Sequence, residues 1–155
     1  MSALRPSEKT GPIRMSLSSR FENIEMVQHL CSQLMEGREV PEETRHWILM
    51  ALREALANAI KHGNRQDNSK HVHLEMDIAG DTLVISIRDE GPGFDPAAVV
   101  DPLAPENRLK TSGRGIFYMK TFMDDVHFQR HANGGMEIVL KKNLGAANEK
   151  EGNPA

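Results

Sequence analysis

Three polar residues, Glu54, Asn58 and Lys61, follow one another at spacings of four and three. At about 100° per residue of an α-helix, these spacings place them on one face, opposite an apolar stripe. A carboxylate can accept a proton from an attacking hydroxyl, an amide oxygen suits Mg²⁺, and a lysine can neutralise phosphate. Because Trp47 and Met50 share this face, a semi-buried site is favoured over a solvated polar face. On its own, Glu-x-x-x-Asn is a weak signal.

One aspartate, Asp89, directly follows a predicted strand. The strand alternates apolar residues over Leu83–Ile87, so its two-residue period points Asp89 toward the same, core-facing side. A buried carboxylate is costly unless it is paired or hydrogen-bonded. Gly91 and Gly93 would let the backbone approach a flat ligand closely, and we therefore expect Asp89 to accept the exocyclic amine of an adenine. The alternative is that the strand ends at Arg88 and Asp89 turns into solvent.

A second glycine-rich segment, Thr111–Ile116 with the sequence TSGRGI, precedes a short helix predicted over 116–123. Glycines at the start of a helix let backbone N–H groups point at a phosphate, and Arg114 adds a fixed positive charge. A G-x-G motif alone is common. Neither the P-loop pattern nor the G-x-G-x-x-G of dinucleotide folds occurs in the chain, which excludes those two classes.

The elements that must position these residues are helices and antiparallel strands. Apolar spacings of three and four predict helices over 21–35 and 41–61. Alternating residues predict strands at 13–19, 72–78, 83–87, 126–128 and 136–140. Hairpins and segregated helices indicate an α+β fold, a two-layer sandwich in which helices cover one face of a mostly antiparallel sheet.

Length and composition limit the possible classes of protein. The 155 residues are 39% hydrophobic, which fits one globular domain at the usual ~100–200 residues per domain. We expect the domain at 13–142, with disordered tails at 1–12 and 143–155. A net charge of −3 and the lack of a long apolar run argue against direct nucleic-acid binding and against a membrane protein. A single cysteine, Cys31, fits a cytoplasmic location.

Taken together and in this order, three segments resemble the N, G1 and G2 boxes of the GHKL ATPase superfamily. They are EALANAIKHGN at 54–64, DEGPGFD at 89–95 and SGRGI at 112–116. Within that superfamily, the stretch 13–142 looks like the anti-sigma factor serine/threonine-protein kinases of bacterial partner-switching systems. The resemblance implies the Bergerat fold, also called the histidine-kinase-like ATPase fold.

The resemblance also implies roles for individual residues, with ATP and Mg²⁺ as ligands. Asn58 would coordinate Mg²⁺, Glu54 would act as general base toward a serine or threonine of a partner protein, and Asp89 would bind adenine. Residues 95–112 would form a lid. The implied nucleotide-binding set further contains Lys61, His62, Gly91, Gly93, Phe94, Ser112, Gly113, Arg114, Gly115 and Ile116.

The chain departs from the family pattern at one position. Family members commonly carry a threonine after a glycine in the penultimate strand-turn, near the adenine. Here the corresponding residues are Gly134-Gly135-Met136-Glu137. The substitution removes a hydroxyl, and we therefore expect one adenine contact to be missing.

Three functions are compatible with these residues. The first is an anti-sigma kinase that phosphorylates an anti-anti-sigma (STAS) partner, sequesters a sigma factor and forms a homodimer. The second is an ATP-binding module that holds a sigma factor or another regulator without phosphotransfer. The third is a histidine-kinase-like ATPase domain acting in trans.

His71 and His73 could form half of a metal site, but solvent-facing histidines are the favoured interpretation.

Overall fold

The computed structural model describes residues 11–92, 111–132 and 134–145. Five strands form one sheet in the order β1-β2-β3-β5-β4, and every neighbouring pair is antiparallel. The strands are β1 (Ile13–Ser18), β2 (His71–Ala79), β3 (Thr82–Arg88), β4 (Asp125–Arg130) and β5 (Met136–Asn143). The helices are α1 (Glu22–Met35), α2 (Glu42–Asn58) and α3 (Thr111–Phe122). This α+β architecture confirms the predicted fold class.

The core lies between the helices and one face of the sheet. In β3 the alternating residues Leu83, Ile85 and Ile87 are all buried, as the two-residue period predicts. Helix α2 packs against both α1 and α3. Cys31 lies in this core, where burial raises the pKa of its thiol to about 12. It therefore behaves as a small apolar residue.

Helix α2 ends differently from the prediction. The sequence predicted a regular helix to about Lys61, whereas α2 ends at Asn58 and continues as a π turn, Ala59–Gly63. Single π turns inserted in helices are frequent at functional sites. Here the wider turn sets the direction in which the chain leaves α2.

The ends of the last strands also differ from the prediction. Both β4 and β5 are longer than expected, and β5 runs to Asn143. Leu144, one residue further on, is buried in the core. Strand β5 thus ends one residue past the expected domain boundary at Lys142, while residues 1–10 and 146–155 of the expected tails lie outside the described residues.

The start of α3 corrects a second expectation. The sequence predicted a glycine turn over Thr111–Ile116 followed by a helix, but α3 already begins at Thr111. Glycine in a helix interior costs about 1 kcal/mol relative to alanine, so propensity alone favoured the turn. Packing of α3 against α2 overrides that preference.

Both histidines of β2 lie beside Glu90. Within the described residues, no three histidine, cysteine, aspartate or glutamate side chains come together in a way that could hold a metal ion. Instead, His73 Nε2 lies 3.0 Å from Glu90 Oε2, and His71 Nδ1 lies 3.9 Å from Glu90 Oε1.

None of the helices in the described part of the chain combines the length and apolar character needed to cross a bilayer.

Candidate functional site

Asp89 occupies a buried position just beyond the end of β3. Only 6% of its surface is exposed. Its Oδ1 accepts hydrogen bonds from the backbone N–H groups of Gly91 (2.9 Å) and Met136 (3.1 Å). The strand does end at Arg88, but the Asp89 N–H donates to the Met136 carbonyl (3.0 Å). This bond keeps the residue beside β5, so the side chain remains on the core side as predicted.

Burial controls the charge of this carboxyl group. Desolvation raises the pKa of Asp89, and the hydrogen bonds from Gly91 and Met136 oppose the shift only in part. Both of those bonds go to Oδ1. Oδ2 therefore accepts no hydrogen bond from the described residues, which leaves it able to accept one from a ligand.

Three glycines give the backbone room to close around Asp89. A Cβ added at Gly63 would overlap the Asp89 carboxylate, and one added at Gly135 would overlap the Asp89 carbonyl oxygen. A Cβ on Gly91 would overlap the carbonyl oxygen of Gly63. Since Gly63 ends the π turn, these contacts join the end of α2 to the loop after β3.

We expect Gly63→Ala to lower the free energy of unfolding by about 1–3 kcal/mol, the usual cost of overpacking. The new methyl group has no space, because the Asp89 carboxylate occupies its position. Urea denaturation measures the change. Gly80→Asn is the control, because Gly80 has φ +63°, which asparagine tolerates, and open space around it. Equal stability of Gly63→Ala and the wild type would contradict the contact.

Glu54 and Asn58 lie together on the half-buried face of α2 that α3 covers. A Cβ built on Gly115 of α3 would lie 2.8 Å from Glu54 Oε2 and 3.6 Å from Asn58 Nδ2. Neither side chain forms a hydrogen bond or ion pair with another described side chain. The first turns of α3 thus approach a carboxylate and an amide that keep their polar atoms available.

The large apolar residues on this face of α2 have a structural explanation. The ring of Trp47 stacks on Phe122 of α3, with centroids 3.8 Å apart and planes 7° from parallel. Trp47 therefore lies in a helix–helix contact on the same face of α2 as the predicted site residue Glu54. The prediction that this face of α2 is semi-buried is confirmed, because α3 covers it.

The two groups of residues lie at the same end of α2. Asn58 is the last residue of the helix, and the π turn that follows it ends at Gly63, which touches Asp89. Glu54, Asn58 and Gly63 thus follow one another along the chain, and the contact between Gly63 and Asp89 brings the predicted aspartate to the same end of α2. Glu54 and Asn58 lie on the side facing α3, and Asp89 lies beyond the π turn.

The remaining predicted residues are placed to different degrees. Lys61 and His62 lie on the π turn with exposed side chains, and Ile116 packs against the core. Gly93 and Phe94 lie outside the described residues. The backbone of Ser112, Gly113 and Arg114 forms the first turn of α3, so Thr111 and Ser112, which the resemblance placed in the lid, belong to a helix.

Sequence reasoning missed three residues of this site. Gly63 was predicted only to end the helix, and Gly135 only to turn a hairpin, yet both pack against Asp89. Asn64 was predicted only to end the helix together with Gly63, and it is almost completely buried. The signal that could have indicated Gly63 and Asn64 is a glycine and a small polar residue close after the polar face of a helix, but Gly135 and Asp89 lie far from them in the sequence.

The position of the absent threonine is occupied by a buried residue. The Met136 side chain is 2% exposed, and its backbone N–H rather than a side-chain group contacts Asp89 Oδ1. A methionine thioether is only a weak acceptor. Position 136 therefore supports the aspartate through its backbone.

Comparison with known families decides the classification. The family model described as "Histidine kinase-like ATPase domain" matches residues 17–142. The chain belongs to this family. The histidine-kinase-like ATPase domain thus covers all the strands and helices above except the first residues of β1 and the end of β5.

Similar curated proteins are bacterial regulators. An anti-sigma F factor of Clostridium perfringens (strain SM101) is 36% identical over 99 residues, which cover 63% of this chain and 71% of that protein. The serine-protein kinase RsbW of Bacillus subtilis (strain 168) is 30% identical over 103 residues, covering 63% of each chain. These similarities support an anti-sigma kinase type of protein within the family.

Solved structures show the same fold. The RsbU and RsbW domains of Rv1364c from Mycobacterium tuberculosis match with a TM-score of 0.62 at 18% identity, covering 87% of this chain and 33% of that one. The histidine kinase domain of a blue-light-activated kinase from Erythrobacter litoralis matches with a TM-score of 0.55 at 16% identity, covering 83% and 63%. Both likenesses concern the fold alone.

Proposed function

We propose that the protein is an ATP-dependent serine/threonine kinase that phosphorylates an anti-anti-sigma partner of the STAS type and sequesters a sigma factor. The observation that carries this proposal is the arrangement at the end of α2. The carboxylate of Glu54 and the amide of Asn58 lie next to Gly115 of α3, and the buried Asp89, with one available oxygen, packs against Gly63 at the end of the π turn that follows Asn58. The names of the curated relatives, anti-sigma F factor and serine-protein kinase, support the choice of a sigma factor as a partner and of phosphate transfer as the activity.

The residues present fit a purine nucleotide with Mg²⁺. The free Oδ2 of Asp89 can accept a hydrogen bond from the exocyclic amine of adenine. A guanine in the same orientation would place a carbonyl oxygen there, which the ionised carboxylate would repel. The amide oxygen of Asn58 is a hard ligand that suits Mg²⁺. Mg²⁺ bound there would neutralise charge on the phosphate oxygens. Gly115 leaves space next to Glu54 and Asn58 that a Cβ would fill.

Glu54 is the proposed general base. Its carboxylate lies one helical turn from Asn58 and makes no ion pair with a described residue, so it is available to accept the proton of a serine or threonine hydroxyl. The two residues would thus have different roles: Asn58 would hold the metal ion, and Glu54 would remove the proton. Lys61, His62, Gly91 and Gly115 complete the proposed nucleotide site, together with Gly93, Phe94 and Ser112–Arg114 of the G1 and G2 boxes.

A phosphotransfer assay tests the proposal. The purified protein, Mg²⁺ and γ-labelled ATP are mixed with a STAS-domain protein encoded in the same genome, and the modified residue is identified by mass spectrometry. We expect an acid-stable phosphoserine or phosphothreonine on the partner. An acid-labile phosphohistidine would indicate a histidine kinase instead. ATP-dependent capture of a sigma factor with no labelled partner would indicate a binding module.

A further inference from the structure

Asn64, the residue after the π turn, lies in a buried polar cluster next to the proposed site. Its surface is 1% exposed. The side-chain Oδ1 accepts a hydrogen bond from the backbone N–H of Glu90 (2.7 Å), and Nδ2 donates to Ser19 Oγ (2.9 Å) and to the His71 carbonyl (3.0 Å). One amide thus connects the ends of α2 and β1, the start of β2 and the loop after β3.

We propose that Asn64 is a positioning residue for the nucleotide site, which rests on the function proposed above. Its amide holds the Glu90 backbone, and Glu90 directly follows Asp89. On the other side of the chain, the Asp89 N–H is bonded to Met136. Asp89 is therefore held from both sides, and its available oxygen is kept in one direction.

The Glu90 side chain provides a second attachment for the same loop. Its Oε1 accepts a hydrogen bond from the His71 N–H (2.6 Å), and its Oε2 lies 3.0 Å from His73 Nε2. These two attachments are solvent-exposed, whereas the bond to Asn64 is partly buried and the Asn64 residue itself is almost fully buried. Because a buried bond to a backbone N–H is more costly to lose than an exposed one, the Asn64 contact contributes most to the position of the loop.

The backbone after Asn64 adopts an unfavourable conformation to make this contact. Arg65 and Gln66 have φ values of +51° and +58°, in the left-handed region that side chains other than glycine and asparagine rarely adopt. Such residues persist when the surrounding structure holds them in place. The Gln66 N–H donates to the Ile60 carbonyl (2.8 Å), which fixes the turn and keeps Asn64 directed inward.

Only an amide of this length satisfies all three partners. It supplies one acceptor for Glu90 and two donors for Ser19 and His71, whereas aspartate keeps the acceptor and loses the donors, and alanine loses both. Ser19 offers a matched comparison. Its hydroxyl bonds Asn64 and the Lys70 carbonyl (2.6 Å), so Ser19→Ala disturbs the same cluster but leaves the Asn64–Glu90 bond in place.

The test compares ADP binding by calorimetry with urea denaturation for the full chain carrying Asn64→Ala or Ser19→Ala. A positioning role predicts that both variants are destabilised, but that Asn64→Ala weakens ADP binding by about tenfold and Ser19→Ala by less than about twofold. Amide hydrogen exchange without nucleotide should show faster exchange at Glu90 and Gly91 in Asn64→Ala only. If binding falls equally in both variants, or in neither, the proposal is overturned.

Asn64→Asp keeps the test decisive if Asn64→Ala does not fold. Since aspartate retains the acceptor for the Glu90 N–H, we expect ADP affinity within about threefold of the wild type in spite of the lost donors. A tenfold or larger loss would overturn the positioning role. Failure of the wild type itself to bind ADP would instead overturn the proposed function and this inference with it.

Discussion

Replacing Glu54 with glutamine is expected to lower the rate of phosphate transfer by about 10²–10⁴-fold, the range typical of losing a general base. Glutamine has the same shape, so it fits beside Gly115 as the carboxylate does, but it cannot take up the proton of the attacking hydroxyl. Nucleotide affinity should be nearly unchanged, because Asn58 and Asp89 remain. Single-turnover transfer from labelled ATP to the STAS partner measures the rate.

Glu43→Gln is the matched control for this experiment. Glu43 is an exposed carboxylate in the first turn of the same helix, so its replacement removes one charge from α2 without touching the site. Its transfer rate should equal that of the wild type. Normal transfer by Glu54→Gln would show that another residue, or none, acts as the base.

Asp89→Asn is expected to leave the stability of the protein equal or higher at neutral pH and to weaken its binding of ADP. Burial raises the pKa of Asp89, so the ionised form is less stable in the folded protein than in the unfolded chain. The contribution of Asp89 to stability is therefore complete at low pH and is lost as the pH rises from the unfolded value of about 3.9 through the higher folded pKa. Asparagine, which stays neutral and still accepts through Oδ1, should equal or exceed the wild type in stability at neutral pH.

Binding should change in the opposite direction. In Asp89→Asn an amide NH₂ group replaces the available oxygen. This group is a donor, as is the exocyclic amine of adenine that it would face, so the hydrogen bond between them is lost. We expect ADP affinity to fall by about 10- to 100-fold, since hydrogen bonds to charged groups are among the stronger ones. Urea denaturation at neutral and acidic pH and ADP titration measure the two effects.

Asp125→Asn is the control for Asp89→Asn, because Asp125 is exposed at the start of β4. Its affinity for ADP should not change. An Asp89→Asn protein that is less stable than the wild type at neutral pH, or that binds ADP equally well, would contradict the role given to the buried carboxylate.

The sequence predicted the parts of the fold and site that follow from local pattern. Alternation in β3 fixes the side toward which Asp89 points, and the spacing of Glu54 and Asn58 places them on one helix face. Both predictions were confirmed because a two-residue or 3.6-residue period survives folding unchanged. The order of the strands was not predicted, since the sheet places β5 between β3 and β4 through contacts far apart in the chain.

What could not be predicted depends on long-range contact. The π turn at Ala59–Gly63 has no sequence period of its own, and it brings Gly63 onto Asp89. The early start of α3 goes against the low helix propensity of its glycines, and it depends on the packing of α3 against α2. The contacts of Asn64 could not be predicted, since its partners lie directly after β1, at the start of β2 and in the loop after β3.

The most direct test of the central claim is calorimetric titration of the wild-type chain with ADP in the presence of Mg²⁺. The account predicts one nucleotide bound per chain, with binding preserved in Glu54→Gln and strongly weakened in Asp89→Asn. No uptake of ADP or ATP by the wild-type protein, or equal uptake by the wild type and Asp89→Asn, would contradict it.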